Sequence, residues 1–254
     1  MSDDVILETR KLTKEFQGFV AVNGVDLRIR RGAVHALIGP NGAGKTTVFN
    51  LLTRFLPPTS GSVFYRGDDI THLRPAAVAR RGLIRSFQIS AVFPKLTVLE
   101  NVRVALQRSL GTSFHFWRTQ RSLAVLNGRA LELLAAVDLD GYAHTITVEL
   151  PYGRKRALEL ATTLALEPEL MLLDEPTSGM GHEDVGLVTD LIRRVAANRT
   201  VLMVEHNLGV VSKLCDVITV MARGRVLVEG TYSEVSRNED VRAAYMGTED
   251  GAVH

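Results

Sequence analysis

The chain has a single cysteine, Cys215, in 254 residues. That excludes a disulfide framework and with it the small secreted folds held together by cystine bridges. Long apolar runs are missing too: segments such as Val217 to Ala222 stop far short of the ~18 apolar residues that cross a bilayer. Any work at a membrane is therefore that of a peripheral subunit. The opening Met1-Ser-Asp-Asp lacks the basic and apolar regions of a secretory signal, which points to the cytoplasm. There is no excess of charge of one sign either. A net charge of +2 beside a hydrophobic fraction of 46% fits neither disorder nor a polybasic nucleic-acid binder, so any basic site must be local. Repeats and low-complexity segments are absent, and the length suffices for one core with a subdomain.

The chain does contain short apolar strands alternating with helical patterns. Val5 to Glu8, Val25 to Ile29 and Ala33 to Ile38 read as strands, and the last runs through a glycine-rich turn into a helix over Lys45 to Phe55. Ser62 to Tyr65 and Leu83 to Phe87 are further strands. From Thr97 to about Ala165 the pattern turns helical, opening on the capping box Thr97-x-x-Glu100 and including Arg129 to Val137. Then Leu170 to Leu173, Val201 to Val204 and Val217 to Met221 alternate with helical Glu183 to Ala196 and Leu208 to Leu214. Continuous apolar strands separated by helices imply an α/β fold whose sheet is largely parallel and buried on both faces. Gly224 turns a last hairpin into Val226 to Glu229.

Gly39-Pro-Asn-Gly-Ala-Gly-Lys-Thr46 matches G-x-x-x-x-G-K-[ST] between a strand and a helix, the context a phosphate loop requires. Its backbone N–H groups would close around phosphate oxygens at a helix N-terminus, Lys45 would reach the β and γ phosphates, and Thr46 would hold Mg²⁺. Leu170 to Glu175 delivers two carboxylates at the C-terminal edge of a strand, where open α/β sheets bind ligands. Asp174 suits the Mg²⁺ shell and Glu175 a base that orients the attacking water. His206, after the strand Val201 to Glu205, either contacts the γ-phosphate or the water, or is a surface histidine opening a helix. Gln88 either joins the Mg²⁺ shell or is a polar loop residue. Phe16 either stacks adenine or is a core side chain.

The segment Leu150-Pro-Tyr-Gly-Arg-Lys-Arg156 poses an electrostatic problem. Proline in the first turn and apolar residues at Ala157, Leu158, Ala161 and Leu164 start a helix, yet Arg154, Lys155 and Arg156 crowd its positive end, where each cation costs a few tenths of a kcal/mol. A polyanion bound there would offset the cost.

Taken in order, Gly39 to Thr46, Gln88, Leu150 to Arg154, Leu170 to Glu175 and His206 resemble the nucleotide-binding subunit of ATP-binding cassette (ABC) transporters over nearly the whole chain. The resemblance implies a P-loop NTPase of ABC type: a largely parallel core sheet, an antiparallel β subdomain and an inserted α-helical subdomain. Its layout would be a nucleotide-binding core over 1–90 and 168–235, a helical subdomain with the signature segment over 91–167, and a tail over 236–254. ATP would be held by Phe16, Gly39, Pro40, Asn41, Gly42, Ala43, Gly44, Lys45, Thr46 and Thr47 of one subunit and by Tyr152 and Gly153 of a second, arranged head to tail. Glu175, His206 and Gln88 take the catalytic roles, and Thr46, Gln88 and Asp174 the Mg²⁺.

Asn23 to Asp26, Ile38 to Asn50, Arg85 to Gln88, Val204 to Asn207 and the ending Val241 to Gly247, with the helical insert around Phe114, Phe116 and Trp117, are most similar to the cassettes of branched-chain amino-acid importers and related urea or amide importers. That likeness implies two membrane permeases, a periplasmic or extracellular solute-binding protein, a second and different cassette, no nucleic acid, and a peripheral place on the inner face of the membrane. The coupling surface would lie around Gln88 to Glu100. A lipid-exporter cassette and a soluble cassette ATPase are the alternatives. The chain departs from the family twice. Leu150-Pro-Tyr-Gly-Arg154 stands where Leu-Ser-Gly-Gly-Gln is usual, which removes a serine hydroxyl, and Ser178-Gly-Met-Gly181 stands where Ser-Ala-Leu-Asp is usual, which removes an aspartate.

Overall fold

The computed structural model describes residues 4–86, 92–107 and 125–246. In chain order its strands are β1 (Val5–Phe16), β2 (Phe19–Arg30), β3 (Val34–Ile38), β4 (Ser60–Tyr65), β5 (Asp68–Asp69), β6 (Leu83–Ser86), β7 (Leu170–Asp174), β8 (Thr200–Val204), β9 (Val217–Ala222) and β10 (Arg225–Gly230). The helices among the described residues are α1 (Lys45–Leu52), α2 (Pro75–Arg80), α3 (Val98–Leu106), α4 (Asn127–Ala135), α5 (Tyr152–Leu164), α6 (His182–Ala196), α7 (Leu208–Leu214), α8 (Tyr232–Arg237) and α9 (Glu239–Met246). They fall into two compact units: Met1–Arg85, Glu169–Glu175 and Ala196–His254 form one, and Ser86–Pro168 with Pro176–Val195 the other.

The first unit is built on two sheets. One runs β10-β9-β3-β8-β7-β6. Within it β7, β8, β3 and β9 pair in parallel and β10 returns antiparallel as a hairpin. Every residue of β3, β7 and β8 is buried, in keeping with sequences that are apolar apart from His35, Asp174 and Thr200. The other sheet, β2-β1-β4-β5, is antiparallel throughout. Its first hairpin is much longer than the sequence suggests: β1 continues past Glu8 to Phe16, with Ile6, Leu7, Thr9 and Leu12 buried and a register shift between Thr9 and Leu12 that turns Leu12 back to the core. Helix α1 ends at Leu52 rather than Phe55. Arg54 adopts a left-handed φ of 62°, and the Leu56 N–H returns to the Asn50 carbonyl at 3.1 Å, which closes the helix ahead of Pro57.

Buried His35 and half-buried Cys215 in this unit carry later consequences. His35 on β3 lies 2.7 Å from the Thr219 hydroxyl, which donates to Glu229 at 2.7 Å. With the hydroxyl proton directed to Glu229, His35 donates from Nε2; burial pushes its pKa down to about 4, with Glu229 opposing, which keeps it neutral at pH 7. Cys215, after α7, packs its Sγ 3.7 Å from Met203 Sδ, and burial pushes its thiol up to about 12.

In the second unit α3 starts at the capping box expected from Thr97 and Glu100. Glu100 N–H donates to Thr97 Oγ1 at 3.2 Å and Thr97 N–H to Glu100 Oε2 at 2.8 Å. Such a cap contributes about 1 kcal/mol. One turn on, buried Asn101 donates to the Phe93 and Thr97 carbonyls and to the Thr147 hydroxyl, and accepts from the Phe93 N–H at 2.7 Å. These bonds hold the segment that exposes Phe93. Helix α5 opens one residue later than its proline suggests: Pro151 is the residue before the helix, with φ −57° and ψ 157°, and supplies no side-chain cap.

Candidate functional site

Two glycines shape the loop between β3 and α1. Gly39 has φ 148°, and a Cβ there would meet the Met221 carbonyl oxygen at 2.1 Å; Gly44 has φ 100°, and its Cβ would meet the Ala21 carbonyl oxygen at 2.6 Å. Side chains are therefore excluded both by conformation and by space. The Ala43 carbonyl accepts from Gly224 N–H at 3.1 Å, tying the loop to the β9–β10 turn. Burial raises the pKa of the Tyr245 phenol, on α9, and the nearby Gly39 backbone opposes the shift. Pro40, Asn41, Gly42 and Ala43 face α9 and the hairpin across a cavity of about 620 Å³.

Lys45 begins α1 and turns back on its own loop. Its Nζ donates to the Gly39 carbonyl at 2.7 Å and the Pro40 carbonyl at 2.9 Å. Burial lowers its pKa from the ordinary lysine value, and the charges of Glu175 and Asp174 partly restore it. Thr46 is exposed and Thr47 half-buried on the same first turn, where the orphan N–H groups of the helix point outward.

Strand β7 ends at Asp174, which is almost fully buried and is bonded by Arg85 of β6. The next residue, Glu175, is held at φ 46°, an uncommon conformation for a residue with a Cβ, while its N–H donates to the Val204 carbonyl at 2.9 Å. Its Oε1 lies 2.7 Å from His206 Nε2. His206 in turn is fixed through its backbone: buried Glu205 accepts from the N–H groups of His206 at 2.7 Å and Asn207 at 3.1 Å. Asn207 then caps α7 by accepting from Gly209 and Val210.

The structure thus gathers the loop Gly39 to Thr47, Asp174, Glu175 and His206 in the first unit. Phe16 is also there, at the end of β1, half-exposed with Lys14 Nζ 5.2 Å above its ring; it is no core side chain. Tyr152 and Gly153 belong to the second unit. Gln88 lies outside the described residues, as do Phe114, Phe116, Trp117 and Gly247. Arg85, Glu205 and Tyr245 were given no site role from sequence, although each lies in a run that carries the family resemblance: Arg85 to Gln88, Val204 to Asn207 and Val241 to Gly247.

The charges around the start of α5 are not a free cluster. Arg154 stacks on Tyr142 with its guanidinium carbon 4.1 Å from the ring centroid, and Arg156 is buried against Glu159 at 2.5 Å. Asp184 of α6 also sits here: a Cβ on Gly153 would meet its Oδ1 at 2.5 Å. A carboxylate thus already lies beside the positive helix end, which relieves much of the apparent fault. Tyr152 donates its hydroxyl to the Ser178 carbonyl at 3.3 Å.

Chemically, the first unit offers a loop of backbone N–H groups for phosphate, a lysine, and a carboxylate touching an imidazole. No group of three or more His, Cys, Asp or Glu side chains among the described residues forms a metal cage. The Thr46 hydroxyl and the Asp174 carboxylate are hard oxygen donors, the kind of sparse set that suits Mg²⁺ shared with phosphates. Residues 22–178 match the family described as "ABC transporter".

The chain belongs to the ABC transporter ATP-binding family.

This cassette also matches, over residues 225–251, the family described as "Branched-chain amino acid ATP-binding cassette transporter". It is 38% identical over 252 residues to the high-affinity branched-chain amino acid transport ATP-binding protein BraF of Pseudomonas aeruginosa, with 95% of this chain and 98% of the relative covered. The corresponding LivG of Escherichia coli is 36% identical over 251 residues, with 95% and 98% covered. Among solved structures, the ADP conformation of an ATP-binding cassette of an ABC transporter superposes with a TM-score of 0.84 at 27% identity, covering 96% of this chain and 99% of the other. The cassette binds and hydrolyses ATP. Cassettes of this family dimerise and work with membrane permease subunits. Among the described residues no helix is long and apolar enough to cross a membrane.

Proposed function

We propose that this cassette powers the import of branched-chain amino acids or a related small solute, as a peripheral subunit on the cytoplasmic face of the membrane. Its partners are a second, different cassette in head-to-tail arrangement, two permeases and a solute-binding protein. The match of residues 225–251 to the branched-chain cassette family, beside two curated relatives of that name over nearly the full chain, carries this reading.

The residues divide the chemistry among them. Phe16 presents its ring to the adenine, and residues Gly39 to Thr47 wrap the phosphates with backbone N–H groups. Lys45 exchanges the Gly39 and Pro40 carbonyls for phosphate oxygens, so the loop is held in shape until nucleotide replaces its internal bonds. Thr46 and Asp174, with Gln88, hold Mg²⁺, which when bound neutralises charge on the β and γ phosphates. Glu175 orients and polarises the attacking water, since hydrolysis here depends on positioning more than on covalent steps. His206, fixed by Glu205, keeps that carboxylate in place and faces the γ-phosphate. Tyr152 and Gly153 complete the site on the partner subunit's nucleotide, with less help than usual because Pro151 lacks both a hydroxyl and an N–H.

The test is uptake. A strain lacking this chain should lose ATP-dependent accumulation of labelled leucine, isoleucine or valine, and Glu175→Gln should fail to restore it. Unchanged uptake of these and of urea and short amides would overturn the import reading.

A further inference from the structure

Arg85 makes two contacts that no part of the reaction described above uses. Its Nη2 bonds Asp174 Oδ2, and its Nη1 donates to Asn50 Oδ1 at 2.6 Å. The guanidinium carbon also lies 5.7 Å from the centroid of the Phe49 ring. The side chains of Arg85 and Asp174 are only 9% and 3% exposed, so the pair is removed from water. Buried ion pairs are a poor means of stabilising a fold, because desolvation offsets the attraction. What such a pair does supply is a fixed geometry.

The geometry falls at a telling place. Asn50 is one helical turn beyond Thr46 on α1, so both lie on the same side of that helix, while Asp174 ends β7. Thr46 and Asp174 are the metal donors proposed above from the described residues. A single planar guanidinium, with its donors in a rigid fork, therefore spans the two elements that carry them. The bond at Oδ2 restrains the Asp174 carboxylate against turning about its last bond. Lysine could not replace this bridge, since an ammonium has no two divergent, coplanar donor edges.

We propose that Arg85 is the positioning residue of the Mg²⁺ shell, setting the orientation of Asp174 and its spacing from α1. The inference rests on the proposed reading of Asp174 and Thr46 as metal ligands. It makes β6, which leads three residues later to Gln88, a structural part of the metal site.

Mn²⁺ binding to the ADP-loaded cassette, read by electron paramagnetic resonance, tests it alongside fluorescent-nucleotide binding in EDTA. Arg85→Gln should weaken Mn²⁺ binding about tenfold or more, in the range of lost outer-shell partners, and leave metal-free nucleotide binding within about twofold. Arg85→Lys should recover only part of the affinity, and Asn50→Ala should cause a smaller loss of the same kind. Arg85→Gln with unchanged or tighter Mn²⁺ binding overturns the proposal; should that variant not fold, Arg85→Lys with wild-type Mn²⁺ affinity does so. Asp174→Asn separates the two readings: if it leaves Mn²⁺ binding intact the ligand assignment fails, whereas a loss there without one at Arg85→Gln rejects Arg85 alone.

Discussion

Glu175 Oε1 and His206 Nε2 lie 2.7 Å apart, with Glu175 in a left-handed backbone conformation and His206 anchored through buried Glu205. An uncommon φ at a functional carboxylate is affordable only where the surroundings over-determine it, and the bond from Glu175 N–H to Val204 is part of that restraint. Glu175→Gln should lower steady-state ATP turnover by at least about a hundredfold, the scale of a lost general base, while nucleotide affinity stays near wild type. His206→Ala should fall in the same range. Single-turnover hydrolysis measured beside equilibrium ATP binding checks both, and equal losses in binding and turnover would contradict the assignment.

Gly44→Ala tests the phosphate loop as a backbone device. The new Cβ would lie 2.6 Å from the Ala21 carbonyl oxygen at a φ of 100°, so the loop must move and ~1–2 kcal/mol of left-handed strain is added. ATP affinity should drop by about tenfold or more, seen by isothermal titration. Gly181→Ala, where an added Cβ meets open space, should leave affinity unchanged.

Pro151→Ser should act in two ways that can be told apart. A serine before α5 can cap the helix, where proline supplies no side-chain bond, so stability rises by about 1 kcal/mol. It also returns a hydroxyl to the segment proposed to face the partner's nucleotide, and turnover of the assembled transporter should rise several-fold, up to about tenfold for one charge-assisted hydrogen bond. Pro151→Ala gives neither gain. If serine and alanine behave alike, Pro151 does not weaken the second site.

Stability should depend on pH through His35. Its folded pKa of about 4 lies below the ~6.5 of an unfolded chain, so the unfolded state takes up the proton first. The contribution is complete above pH about 6.5 and declines as pH falls toward 4, by about 3 kcal/mol in all. Urea midpoints recorded from pH 7.5 to 4 should fall less steeply for His35→Gln than for the wild type. Parallel curves would show that His35 does not titrate in this way.

Much of this was legible in sequence, for a physical reason. The phosphate loop and the strand leading to Asp174 and Glu175 are local: the strand, the turn and the helix start are adjacent in the chain, and β3, β7 and β8 announce burial on both faces by runs that are almost wholly apolar. Pattern reading failed where one face is solvated and charged, as in β1, whose Arg10, Lys11, Lys14 and Glu15 hide a pairing that runs to Phe16. The end of α1 escaped notice because left-handed Arg54 carries no glycine or asparagine signal. Arg85 with Asp174, Asp184 beside Gly153, and Tyr245 near Gly39 are contacts between distant parts of the sequence. No spacing rule reports them. The cationic run after Pro151 shows the same limit in part: Glu159 answers Arg156 at i,i+3 on the same helix, but Tyr142 and Asp184 come from elsewhere in the unit.

Cys215 packs beside Met203 with its thiol pushed up to about 12. At neutral pH its thiolate fraction is negligible, and the thiolate is the form that reacts. The wild-type chain should therefore react slowly with maleimides. A cysteine introduced at exposed Phe93 or Tyr152 would be the one fast-reacting thiol, so spin labels or fluorophores could report on the surfaces proposed to meet the permease and the second cassette without first removing a native residue.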